Sequence, residues 1–328
     1  MKIKGFELRK TLPTLRWMGN NARSYWPGLS VIIVMGVVGS LSGVANAIAS
    51  KSMVDYAVKG DLVLAGIAAA IFGGIMLLNL ALGIGGSLIS TRVSEAMSNA
   101  TRERIFADLM ASEWMPLSSF HSGDLLTRLT SDVGTVVGCV ISTLPGILFL
   151  IVQFVAAFVT LLHYEPRLAF LAFVLGPITV IFSRVWGRKL KVLNKNVKES
   201  ESAYRAYLQE NLQNFSIIKS FQLEDYNRKT LAELHNNRMS WVLKLNRTTL
   251  TASAILSGGF MSGYFLAFVW GAYRLSQKAI SFGTLTAFLQ LVSQVQGPFL
   301  GLARTLPAII SSMASAERLM ELEAMERE

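Results

Sequence analysis

The chain has 328 residues, a formal net charge of +10, and 52% hydrophobic against only 16% charged residues. Soluble domains carry about 25% charged residues and the mean hydropathy here is +0.44, so the composition excludes an ordinary soluble domain and points to a membrane protein. The basic charge does not mark a nucleic-acid binder, because it avoids the apolar runs and collects between particular pairs of them, as topology selection does.

Met1–Trp26 is an amphipathic lead-in with 6 Lys/Arg against 1 Asp/Glu. It is not expected to be a signal peptide, since the apolar run after it is too long for a signal core. A span needs about 20 mainly apolar residues, and six stretches qualify: Leu29–Ala49, Leu62–Ile89, Val136–Leu162, Leu168–Val185, Leu250–Tyr273 and Phe282–Ile310. None has an acid or base in its central part, and Arg304 falls near the inner end of the sixth. Spans 1–2, 3–4 and 5–6 are joined by short links, whereas about 46 residues separate spans 2 and 3 and about 64 separate spans 4 and 5. Arg184–Arg247 holds 13 Lys/Arg against 6 Asp/Glu, and the three short links together hold 5 against 3. The positive-inside rule therefore predicts cytoplasmic termini and cytoplasmic long connections.

Those long connections have helical character. Ser90–Met115 contains no Gly or Pro, and Val93, Met97, Ala100, Ile105 and Leu109 roughly follow helical spacing. Span 2 is thus expected to continue as one helix of about 50 residues, near 75 Å, until Pro116 stops it. The same is expected from Pro166 to about Asn211 and from about Glu224 through span 5. Two cytoplasmic tips result. In the first, "FHSGDLLTRLTSDV" (Phe120–Val133), Gly123 permits a break in direction. Asp124 suits the first turn of a new short helix. Leu125, Leu126 and Leu129 form an apolar docking patch, with Arg128 and Asp132 elsewhere. The second, "NFSIIKSF" (Asn214–Phe221), sets Phe215, Ile217, Ile218 and Phe221 around Lys219.

Neutral polar residues remain inside the spans. Interhelical hydrogen bonding is the simpler account of Asn46, Asn79 and Gln153, whereas Gln290 and Gln294, one turn apart with Ser293 beside them, could also face a substrate path. Pro145, Pro177, Pro298 and Pro307 lie inside spans and suit either fixed kinks or hinges; the kink is the simpler account of Pro145 and the hinge of Pro298. The basic face of Arg188, Lys189, Lys191, Lys195 and Lys198 is most simply a topology signal in contact with anionic lipid. Cys139 has no partner for an intrachain disulfide, and His121, His163 and His235 lack metal-ligand spacing.

Taken in order, these features resemble the transmembrane domain of an ATP-binding cassette exporter. The first tip follows the family pattern at Phe120, Gly123 (one residue closer than usual), Leu125, Arg128 and Asp132. The second follows it at Glu210, Leu212, Ile217, Ile218, Lys219, Phe221 and Glu224, with Asn214 where Gly is usual. The sixth span resembles the family at Gly283, Leu285, Phe288 and Pro298. The resemblance implies an all-α membrane protein with six long transmembrane helices, cytoplasmic helical extensions and two short coupling helices. It also implies a dimer with a second copy or paralogue in which spans 4 and 5 cross over. Residues 1–27 would be the elbow, 28–312 the six-span domain, and 313–328 the start of a linker.

The same resemblance implies that Gly123, Asp124, Leu125, Leu126, Arg128, Asp132, Phe215, Ile218, Lys219, Phe221 and Glu224 couple to a nucleotide-binding domain holding ATP and magnesium. Phe288, Gln290, Ser293 and Gln294 are its candidates for a substrate cavity, and Pro298 for the hinge. No phosphate-binding G-x-x-x-x-G-K-[ST] loop occurs in this sequence, so hydrolysis by the family's means needs that other domain. The ending within "ELEAMERE" is expected to mark the start of a linker to it. The chain itself is expected to hold no catalytic residue, cofactor, metal or nucleic acid, and to sit in a bacterial plasma membrane. An amphipathic or hydrophobic substrate (drug, lipid or peptide) fits an uncharged path. A channel, carrier or scaffold uncoupled from ATP is the alternative.

Overall fold

A computed structural model describes residues 8–113, 115, 118 and 120–325, without the side chains of residues 8–12, 168, 171, 172, 174–185, 303, 304 and 306. The described residues are almost wholly helical. We number the helices α1 (Leu8–Ala22), α2 (Trp26–Val58), α3 (Leu62–Met110), α4 (Ser122–Tyr164), α5 (Pro166–Gln213), α6 (Phe215–Ser220), α7 (Glu224–Ser276) and α8 (Phe282–Glu323). A 3-10 turn, Arg23–Tyr25, joins α1 to α2.

The stalk helices have the expected lengths. α3 runs for 49 residues, α5 for 48 and α7 for 53, each more than twice the thickness of a hydrocarbon core. Five helical stretches among the described residues are long and apolar enough to cross a membrane. The remaining expected span, Leu168–Val185 with Pro177, lies mostly outside the described side chains, as does Arg304. One detail differs from expectation. The first tip is no separate short helix but the inner end of α4 itself, which carries π turns at Arg128–Asp132 and Cys139–Thr143.

The chain divides into two compact units: residues 1–173 with 266–328, and residues 174–265. The first has two apolar clusters. The inner one joins α1, α2, α3, α4 and α8 through Met18, Ile32, Ile105, Val137 and Leu319. Those of its residues that lie beyond the membrane spans leave water on folding, at about 1.5–3 kcal/mol for each fully buried large side chain. The outer one includes Ala157, Ala169, Ala267, Phe288 and Leu291. Lipid offers little hydrophobic drive there, so close packing must hold it. Ala47, Ala157, Ala169, Ala267 and Ala287 are all fully buried, as small residues at close helix contacts should be.

The second unit is a hairpin of the inner parts of α5 and α7 with α6. Among its described residues Ala252 is the one buried apolar side chain. Polar contacts join its arms: Glu201 with Arg238, and Tyr207 Oη donating to Asn227 Oδ1 at 2.7 Å.

Candidate coupling site

The first tip begins at His121, whose extended backbone (φ −73°, ψ 141°) precedes α4 and whose carbonyl accepts the Asp124 N–H at 2.9 Å. Asp124 sits in the first helical turn, as expected. Gly123 does not make the turn. Among the described glycines only Gly60 has a positive φ, and a Cβ on Gly123 would meet nothing within 4 Å.

The three leucines do not form one exposed patch. Leu126 is 63% exposed, while Leu125 and Leu129 pack against the inner cluster. Arg128 and Asp132 turn inward as well. Asp132 accepts Arg318 Nε on Oδ2 at 2.7 Å, Arg318 Nη2 on Oδ1 at 2.6 Å, and Ser315 Oγ on Oδ1 at 2.9 Å. Arg128 donates to Asp124 at 3.0 Å, to Glu321 at 2.8 Å and to the Arg318 carbonyl at 3.0 Å. Its guanidinium also lies 4.7 Å from the Phe120 ring centroid. The Asp124–Arg128 pair is therefore no solvated surface pair, since Arg128 is buried.

The charges alternate, and each buried one has an opposite partner, which is the condition under which burying them is tolerable. Ser315, Arg318 and Glu321 escaped the sequence reading. Their partners lie more than 180 positions away, and the only local signal was a polar face on the last turns of α8.

The end of α8 is a hub. Glu323 accepts Trp17 Nε1 from α1 at 2.6 Å and pairs with Arg104 of α3 at 2.8 Å. The last turns of α8 are thus bonded to α1, α3 and the first tip at once.

Burial works to raise the Asp132 carboxyl. The hydrogen bonds from Arg318 and Ser315 and the charges of Arg318 and Arg128 outweigh it, so the group titrates below the usual carboxylate range. A lowered folded-state pKa contributes stability that is complete above about pH 4 and is lost as pH falls through the lowered value. The difference in unfolding temperature between wild type and Asp132→Asn should therefore be constant from pH 5 to 8 and shrink only below about pH 4. Thermal scans in detergent check this.

The second tip is built differently. Asn214 caps α6 at φ −104°, so the turn has no need of the glycine usual there, and its Nδ2 donates to the Glu210 carbonyl at 3.0 Å. The left-handed residue is Gln222, at φ 52°. Lys219 pairs with Glu224, in the first turn of α7, at 2.9 Å. Phe215, Ile217 and Phe221 are 57%, 52% and 71% exposed, while Ile218 is half-buried. A six-residue helix thus carries one aromatic ring and an isoleucine in the open, with a second ring, Phe221, at its C-cap, an arrangement suited to a partner surface.

A family model of the ABC transporter transmembrane region matches residues 29–299. The chain belongs to this family. It is 26% identical over 204 residues to a multidrug resistance-like ATP-binding protein MdlA of Buchnera aphidicola, covering 61% of this chain and 35% of the relative. It is 25% identical over 214 residues to a fatty acid ABC transporter ATP-binding/permease protein of Mycobacterium bovis, covering 63% and 33%. An uncharacterised ABC transporter ATP-binding protein of the same organism is 23% identical over 318 residues, covering 94% and 53%. The chain thus spans about a third to a half of the length of these curated relatives.

Within this ABC transporter membrane domain, two of the four expected cavity residues, Gln290 and Gln294, bond to α2. Gln290 Nε2 donates to Ser50 Oγ at 3.1 Å and Gln294 Nε2 to the Gly43 carbonyl at 2.9 Å. Phe288 is fully buried and Ser293 is exposed. At the outer end of the same seam, Asp55 accepts the Gly283 N–H and Ser281 Oγ, each at 2.9 Å. Of the other intramembrane polar residues, Asn79 Nδ2 donates within its own helix, to the Ile75 carbonyl at 3.1 Å, rather than between helices, and Asn46 Oδ1 is buried without a partner. Pro298 is buried in α8 and has no N–H for the Gln294 carbonyl. Two residues before it, Gln296 Nε2 is also buried without a hydrogen bond.

Proposed function

We propose that this chain is the membrane-spanning, substrate-translocating domain of an exporter. ATP and magnesium would be held by a nucleotide-binding domain that docks on the two tips and drives alternating access. The observation that carries this reading is the second tip, where Phe215 and Ile217 on the short helix α6 and Phe221 just after it stand exposed at the turn of the α5–α7 hairpin. Leu126 is the corresponding exposed side chain of the first tip. Arg128 and Asp132 then act from within, holding the first tip to α8, while Gly123, Asp124, Leu125, Ile218, Lys219 and Glu224 shape the two tips.

The excess of Lys/Arg in Met1–Trp26 and Arg184–Arg247 supports cytoplasmic termini and tips in a bacterial plasma membrane. The residue 174–265 hairpin, with one buried apolar residue among those described, supports a dimer with a second copy or paralogue that covers it by exchange of spans. Spans without central charges, and relatives named for multidrug resistance and fatty acids, support an amphipathic or hydrophobic substrate. Gln290, Gln294, Ser293 and Phe288 would line its path once α2 and α8 part, with Pro298 as the bend.

Phe221→Ala and Leu126→Glu, each in the chain joined to its ATPase partner, test the reading. Truncating an aromatic anchor costs about 2 kcal/mol, or about thirtyfold in affinity. ATP-stimulated transport should fall at least tenfold while substrate binding to the membrane domain is unchanged. Transport that persists at wild-type rate in both variants would favour a channel, carrier or scaffold without coupling to ATP.

A further inference from the structure

A cavity of about 290 Å³ lies between α1, the start of α2 and the inner part of α4. Its walls include Met18, Gly19 and Ala22 on α1 and Val140, Leu144 and Pro145 on α4. Two local features make it concave. On α4, the π turn Cys139–Thr143 sends the Leu144 N–H to the Cys139 carbonyl, and Pro145 follows with no N–H to give. On α1, Gly19 leaves the opposing wall open, since a Cβ there would meet nothing within 4 Å. Trp26, 63% exposed, lines the same cavity, and an indole with an exposed edge suits a membrane–water interface.

Charge indicates the occupant. From Leu8 to Tyr25 the chain carries Arg9, Lys10, Arg16 and Arg23 and no acid. Arg16 and Arg23 are exposed, and neither is in an ion pair among the described residues. Arg16 follows Leu15 on α1, and Arg23 follows Ala22 at the start of the 3-10 turn; Leu15 and Ala22 both line the cavity. An apolar slot beside two exposed guanidiniums on an amphipathic basic helix matches one ligand chemistry: a hydrocarbon tail ending in an anionic headgroup.

We infer that this cavity is a binding site for one acyl chain of an anionic phospholipid, with Arg16 and Arg23 holding the phosphate. The site is separate from the tips and from the α2–α8 seam. It would seat a structural lipid between the lead-in helix and the third span. Arg supplies the paired N–H donors that a phosphate oxygen accepts.

The test is native mass spectrometry of the full chain released from bilayer discs of equimolar phosphatidylglycerol and phosphatidylethanolamine. Wild type should retain phosphatidylglycerol at least fivefold over phosphatidylethanolamine. Arg16→Gln with Arg23→Gln should bring that ratio to about one. Gly19→Leu, whose added side chain has open space to fill, should lower total retained lipid at least fivefold. Leu148→Trp should do the same from the α4 wall, where Leu148 lines the cavity. Equal retention of the two lipids by wild type, loss in only one of the two filling variants, or undiminished lipid in both (annular binding only) overturns the inference.

Discussion

Arg318→Ala is expected to lower the unfolding temperature more than Asp132→Asn does, although the two residues form one ion pair. The asymmetry follows from exposure. The Arg318 side chain is 44% exposed and that of Asp132 only 5%. Removing Arg318 leaves a buried carboxylate with the Ser315 hydroxyl as its remaining hydrogen bond. Removing the Asp132 charge leaves a guanidinium that water can reach. Breaking a fully buried pair costs about 3–5 kcal/mol. Half-solvation of Arg318 reduces that to about 2–3 kcal/mol for Arg318→Ala and about 1 kcal/mol for Asp132→Asn. The double variant should lie closer to Asp132→Asn than to Arg318→Ala, because no buried charge is left unpaired. Thermal unfolding of the four proteins decides it, and equal shifts for the two single variants would show that Asp132 is better hydrated than its burial implies.

Gly283→Ala should have the largest effect of any single methyl group added to the outer end of the chain. A Cβ on Gly283 would lie 2.2 Å from the Lys51 carbonyl and 2.6 Å from Asp55 Oδ1. The first neighbour is backbone and cannot swing aside, so α2 and α8 must separate. Overpacking of this kind costs about 1–3 kcal/mol. The Gly283 N–H bond to Asp55 is strained at the same time, and a hydrogen bond to a charged group is worth about 1.5–3 kcal/mol. Gly36→Ala is the comparison. Its Cβ would meet the Phe149 ring at 2.1 Å, a side chain that can rotate, so a smaller loss is expected. Folded yield in detergent and unfolding temperature of the two variants report the difference, and a Gly283→Ala protein as stable as wild type would mean that the α2–α8 contact is looser than described.

Much of the architecture was legible in the sequence because its signals are local. The absence of Gly and Pro from Ser90 to Met110 announces a continuous helix, and α3 duly runs from the second span to Met110. Pro166 marks the start of α5 for the same kind of reason, since a missing N–H costs nothing at a helix's first residue. What remained hidden is which way a side chain faces when its partner is far away in sequence. Arg128 and Asp132, four apart, could be placed on one helix face, but nothing near them says that Ser315, Arg318 and Glu321 occupy that face. Gln290 and Gln294 lie one turn apart by their spacing alone, while their engagement by Ser50 and Gly43 depends on α2 and α8 lying side by side. Gly123 misled because a glycine near a turn suggests positive φ, whereas here it lies inside a regular first helical turn.

The two π turns of α4 have a consequence for how the chain tolerates changes in length. Each holds one residue more than an α-helical path over the same rise would need. Deleting Ser142 removes that surplus and leaves an ordinary helix, with the residues on either side still in phase. Deleting Ile151, in the regular part of the same helix, rotates everything on one side of the cut by about 100°. That would carry either the Phe154 face or the Asp132 face out of its contacts. A scan of single-residue deletions along α4 should therefore show two windows of tolerance, at Leu129–Ser131 between the paired Arg128 and Asp132 and at Cys139–Thr143, in a helix that is otherwise intolerant.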